Sequence, residues 1–216
     1  MTALLASLFI VPAVGLALVY FARGAALAPS WPRSAIKTGS VAALVPVGLL
    51  LGAPPAVVLG LALGAMGDFF LSRPSDRAFL AGMGAFAAGH LAYVAAFWTL
   101  GAGGGAPVLA AILFGLLSLS TEVWLAPRTG ALRWPVRGYV VVITLMGIAA
   151  FALPAGYGIA RLGAILFVLS DLILALELFV LPDGSPVRPV LQRLLWLLYW
   201  SGQALILAGL LPEVPL

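Results

Sequence analysis

Cysteine is absent from this 216-residue chain, histidine occurs once, and charged residues make up only 8% of it. The first absence excludes disulfides, iron–sulfur clusters and thiol nucleophiles. A single imidazole falls short of the three or four Cys, His or carboxylate ligands of a typical zinc site, so no metal or other cofactor is expected. The shortage of charge excludes a soluble domain, which carries about 25% charged residues. With 63% hydrophobic residues, the chain reads as an integral membrane protein. Its 25 Gly and 16 Pro form no repeat or polar tract, so they lie within and between apolar spans, as transmembrane helices tolerate, and disorder is excluded. The net charge of +4 follows a membrane pattern, which removes nucleic acid as a partner.

A spanning helix takes roughly 20 residues and a short connection a few more, which leaves room for about eight spans and no soluble domain beside the 1–216 bundle. Apolar runs between Pro, Gly and Arg punctuation place them at 3–22, 36–51, 55–72, 78–99, 107–125, 136–153, 158–181 and 189–211. Spans two and three form a tight hairpin at Ala53-Pro54-Pro55, and the Gly-rich loop 101–105 is short and uncharged. The connections alternate in charge. Arg23, Arg33, Lys37, Arg73, Arg77, Arg128, Arg133, Arg137, Arg188 and Arg193 share one side, and Arg161 alone is on the other. By the positive-inside rule both termini face away from the cytoplasm. Arg23 follows the first apolar run, which is the wrong polarity for a cleaved signal peptide, so that run is expected to be a retained helix.

Ionisable groups inside a span cost about 2.5–3.5 kcal/mol each on insertion scales, which makes each a functional candidate unless it snorkels. Glu122 and Glu177 stand near helix ends, where a glutamate reaches headgroups or a loop arginine. Asp68 and Asp171 are short side chains, each 13 residues from the outer end of an inward-running span, or roughly 20 Å deep. Met66-Gly67-Asp68-Phe69-Phe70-Leu71 and Leu169-Ser170-Asp171-Leu172-Ile173-Leu174 share one pattern: apolar, small, Asp, two apolar residues, Leu. His90 and Tyr93 share a face at i, i+3, and Tyr199 and Gln203 at i, i+4. The echoes of span three in seven and of four in eight suggest a parallel duplication of four helices. Span arithmetic orders the polar groups as a column. Lys37 and Tyr139 stand at the rim, Asp68 and Asp171 about 10 Å below, and Tyr199, His90 and Gln203 deeper. A column that stops near the middle of the bilayer describes a pocket open to one side.

At these residues the sequence resembles the YhhN-like lysoplasmalogenase family of eight-helix membrane proteins. The resemblance runs through Lys37, Gly67-Asp68-Phe69-Phe70-Leu71, Gly89-His90-Leu91-Ala92-Tyr93, Tyr139, Ser170-Asp171-Leu172-Ile173-Leu174-Ala175, Tyr199 and Gln203. Thr38 departs from it, standing where the family often has proline. The resemblance implies hydrolysis of the vinyl ether bond of a lysophospholipid, with Asp68 and Asp171 as acid and base and Lys37, His90, Tyr93, Tyr139, Tyr199 and Gln203 in support. Membrane lipids would be its surroundings and a bacterial cytoplasmic membrane its location; the oligomeric state stays open. Lys37 at the rim is expected to hold the substrate headgroup. Two rival readings use the same groups. A proton-coupled carrier would continue its polar path outwards, but the outer third here is apolar. An intramembrane aspartyl protease would carry Tyr-Asp and Gly-x-Gly-Asp, but Ser170 precedes Asp171 and Ala65 takes the first glycine's place before Asp68.

Overall fold

The computed structural model describes residues 1–24, 30–101 and 107–212. Residues 102–105 of the Gly-rich loop and residues 25–29 of the first connection lie outside them. The described residues are helical throughout, with no strand among them: α1 (Thr2–Val19), α2 (Trp31–Ala42), α3 (Leu44–Leu50), α4 (Pro55–Leu71), α5 (Asp76–Leu100), α6 (Val108–Trp124), α7 (Arg133–Ala152), α8 (Gly158–Phe179) and α9 (Arg188–Gly209). Helices α2 and α3 make one interrupted rod. Pro46 has no amide hydrogen for the carbonyl of Ala42, and the chain turns at Ala43. The eight rods match the eight expected spans.

Five rods are long and apolar enough to cross a membrane on their own: Leu4–Arg23, Asp76–Leu100, Val108–Arg128, Gly130–Ala152 and Ala155–Phe179. Of the rest, α4 is apolar but 17 residues long, the second rod is broken, and α9 carries Gln192, Arg193, Ser201 and Gln203. The chain is a multi-helix membrane protein.

Local signals set the helix ends. The side chains of Ser30 and Ser75 accept the amides of Arg33 and Ala78, and Pro32 and Pro55 occupy first turns, where no amide is needed. Helix α2 therefore begins at Trp31, before the expected 36; α7, which has no side-chain cap, begins at Arg133, before the expected 136. The short connections after α4, α6 and α8 and the first two turns of the helices that follow gather Arg73, Arg77, Arg128, Arg133, Arg137, Arg188 and Arg193 at one end of the bundle, the cationic end. Arg161, at the other end, donates to the carbonyls of Leu153 (2.8 Å) and Pro154 (3.2 Å), which satisfies backbone that α7 leaves free where it stops.

Two helix pairs are built alike. A Cβ on Gly89 of α5 would stand 3.2 Å from the carbonyl oxygen of Gly60 on α4, and one on Gly202 of α9 would stand 2.9 Å from that of Gly163 on α8. Missing side chains let the backbones touch. Gly60 and Gly163 are 103 residues apart, as are Asp68 and Asp171, so each aspartate lies eight residues beyond its contact glycine. Helix α6 is the outlier. It packs chiefly on α7 and exposes Leu109, Ile112, Leu113, Leu116 and Leu119.

Candidate active site

The two aspartates occupy different surroundings. Asp68 is almost fully buried. Lys37 Nζ lies 2.8 Å from its Oδ1, and the Tyr199 hydroxyl donates to its Oδ2 at 2.9 Å. Behind Tyr199 the bonds keep one direction: Tyr93 donates to Gln203 Oε1, and Gln203 Nε2 donates to the Tyr199 oxygen at 3.3 Å. Every donor points towards the Asp68 carboxylate, as an anion held by an ammonium requires. This corrects the column inferred from sequence. Lys37 is not about 10 Å above the aspartates; it touches one of them. Because α2 starts at Trp31, Lys37 lies nearly two turns inside the helix.

Asp171 takes the other role. Its Oδ2 accepts the Tyr139 hydroxyl at 2.5 Å, and His90 Nε2 lies 3.7 Å from the same oxygen. The neighbouring Ser170 hydroxyl donates chiefly to the Phe167 carbonyl at 2.7 Å and lies 3.5 Å from Asp171 Oδ1. Tyr139, expected at the rim, is likewise nearly two turns inside its helix. His90 is fully buried; its Nδ1 stands 2.7 Å from the carbonyl oxygen of Phe86. A carbonyl only accepts, so Nδ1 carries the proton and Nε2 faces Asp171.

Between the clusters stands a layer of aromatic rings. Phe167 packs edge-on against His90 (4.5 Å between centroids) on one side and Tyr199 (5.2 Å) on the other. Phe86 meets Tyr199 at 5.7 Å and sits over Gly67, where a Cβ would strike its ring. Sequence reasoning passed over both rings, since a buried Phe looks like core. The small-residue face Gly60, Gly64, Gly67 on α4 was the available signal that side chains from other helices seat there.

One of the two carboxyls reaches an open cavity. The space, about 860 Å³ including its mouth, is lined by α5, α6, α7 and α8 with the end of α4, and its walls are almost wholly apolar. Asp171 and Tyr139 line it; Asp68 and Lys37 do not. Along α8 the lining runs from Val168 to Phe179, and on the α6 side from Phe114 to Leu125, just past the helix end. Eleven residue steps in each case give a length of roughly 16 Å, suited to a hydrocarbon chain. Phe86 separates this cavity from the Asp68 cluster. Near the cationic end, Arg137 makes a bidentate ion pair with Glu122, with Nε at 2.8 Å from Oε1, and ties α6 to α7. Glu177, by contrast, is buried, and its Oε1 has no hydrogen-bond partner.

The pattern of the YhhN family matches residues 32–210, a stretch that includes all eight of these polar site residues. The chain belongs to the YhhN family. It is 33% identical over 195 residues to the lysoplasmalogenase TMEM86A of Bos taurus, covering 82% of this chain and 78% of that one. It is also 31% identical over 160 residues to a protein named lysoplasmalogenase from Mycobacterium bovis and to another from Mycobacterium tuberculosis. Those matches cover 71% of this chain and 59% of the mycobacterial proteins' length. No solved structure matches it.

Proposed function

We propose that the protein hydrolyses the vinyl ether bond of lysoplasmalogens, releasing a fatty aldehyde and a glycerophospho-alcohol. The observation that carries this reading is a carboxyl group, Asp171, on the wall of a long apolar cavity and, among the described residues, without a Lys or Arg partner. An enol ether is cleaved by protonating its β-carbon, which leaves an oxocarbenium ion that water captures. Asp171 is the donor, because it is the carboxyl on the cavity wall and its hydroxyl partner Tyr139 is uncharged. Once the proton has moved, its carboxylate faces the cation it created, and Tyr139 holds it in place.

Asp68 divides the work with Asp171 by acting at a distance. Paired with Lys37 and shielded by Phe86, it fixes α2, α4 and α9 around Tyr199, Gln203 and Tyr93. These set the ring layer on which His90 rests. Lys37, engaged with Asp68, serves this framework and not a lipid headgroup. The similarity to proteins named lysoplasmalogenase supports the substrate, and the charge asymmetry supports a cytoplasmic position for the cationic end in a bacterial membrane.

The test is aldehyde release by the purified protein in mixed micelles. It should cleave a 1-alkenyl lysolipid and leave the saturated 1-alkyl ether of the same length intact, since only the alkenyl bond can be protonated at carbon. Equal turnover of both, or of neither, overturns the reading.

A further inference from the structure

A second built feature lies outside the cavity, where α2 begins and α4 ends. Trp31, in the first turn of α2, is 69% exposed, and the Arg73 guanidinium carbon stands 3.7 Å from the centre of its ring. The Phe69 ring is 4.9 Å away on another side, so the guanidinium sits in the angle between two aromatic faces. Hydrogen bonds fix its rotation. Nε donates to the Phe69 carbonyl at 3.5 Å, and Nη2 donates to the hydroxyl of buried Ser34. None of Trp31, Ser34, Phe69 and Arg73 lines the cavity.

Arg73 is held in place but not neutralised. Among the described residues no carboxylate pairs with it, and its Nη1 has no acceptor. Arg137 makes the contrast. It stacks on exposed Trp134 at 4.9 Å, but its fork is already taken by the Glu122 carboxylate. A planar fork that is oriented, half-buried and short of an anion fits a phosphate, which accepts paired N–H bonds. Its place selects the source of that phosphate. Arg73 follows Asp68 by five residues, about 7 Å nearer the cationic end, and tryptophan rings settle at headgroup level.

We propose that Trp31, Ser34, Phe69 and Arg73 form a binding site for the headgroup phosphate of a membrane phospholipid, separate from the candidate active site. Arg73 Nη1 donates to a phosphate oxygen, and the exposed indole of Trp31 borders the glycerol and the upper acyl chains. Stacking holds the guanidinium in the bound geometry, so little side-chain freedom is lost when the lipid arrives. The site bridges α2 and α4, the helices that carry Lys37 and Asp68. A lipid that binds only the folded bundle therefore stabilises it.

The test is binding of dioleoylphosphatidylglycerol to the purified full chain in detergent, read by native mass spectrometry and by the rise in unfolding midpoint. Dioleoylglycerol, with the same chains and no phosphate, is the comparison. For the first lipid bound, wild type should prefer the phospholipid about tenfold. Arg73→Gln should lose most of that preference and most of the thermal shift. Arg73→Lys keeps the charge without the fork and should fall between the two. Arg137→Gln should bind as wild type does. Trp31→Leu keeps the arginine and removes its platform; it should weaken binding several-fold, and it decides the matter if Arg73→Gln does not fold. Equal binding of the two lipids by wild type, an unchanged preference in Arg73→Gln or Trp31→Leu, or an equal loss in Arg137→Gln overturns the proposal. Inorganic phosphate that alone produces the same Arg73-dependent thermal shift overturns it too, because the site then belongs to a soluble anion.

Discussion

Lys37 and Tyr139 stand in the same relation to Asp68 and Asp171: each projects from the second turn of its helix onto the carboxylate of the helix that follows or flanks it, at 2.8 Å and 2.5 Å. The donor differs, an ammonium in one half and a phenol in the other. That substitution separates the two acids. One is neutralised and locked away from the cavity; the other keeps a neutral partner and stays on the cavity wall.

Asp171→Asn is the cleanest probe of the chemistry. The amide oxygen still accepts from Tyr139, so the fold should be retained, but the acid is gone. Aldehyde release should fall at least about 100-fold, with the unfolding midpoint in detergent close to wild type. A rate near wild type would take Asp171 out of the reaction.

Asp68→Asn should behave differently, since it leaves the largely buried Lys37 without its counter-charge. Removing one partner of such a pair costs about 3–5 kcal/mol. Activity and stability should therefore fall together. Lys37→Met combined with Asp68→Asn removes both charges and should regain much of the lost stability. Thermal unfolding of the two single variants and the double variant measures this coupling, and strictly additive losses would refute it.

The glycine contacts give a prediction with its own control. A Cβ on Gly163 would stand 2.7 Å from the Ile206 amide nitrogen and 2.8 Å from the Gly202 carbonyl, where only backbone could give way. Gly163→Ala should force α8 from α9 and destabilise by about 1–3 kcal/mol. Gly84 has open space where its Cβ would stand, so Gly84→Ala should be neutral or slightly stabilising. Unfolding midpoints of the two variants provide the comparison.

Topology offers a test outside enzymology. With the cationic connections in the cytoplasm, reporters fused at either terminus should be active only when they require export. Activity of a cytoplasm-dependent reporter at the C-terminus would invert the bundle and assign the cavity to the other leaflet.

The class of protein, the eight helical rods, the end at which the cations gather, and the two aspartates with their matched contexts are all legible in the order of residues. Those properties follow from local quantities: the length of apolar runs, the period of connections, and the cost of a charge in lipid. The glycine spacing on α4 likewise carried its close helix contacts. Which aspartate faces the cavity is fixed by packing, because it depends on how each helix is rotated and on what other helices bring to it. Lys37 meets Asp68, 31 residues away, only because Ser30 and Pro32 start α2 early; Tyr199 reaches the same carboxylate across 131 residues. Phe86 and Phe167 divide the site by shape, which no pattern of residue types in a single chain segment records. Two acids that look equivalent in sequence are made different by the partners that packing gives them.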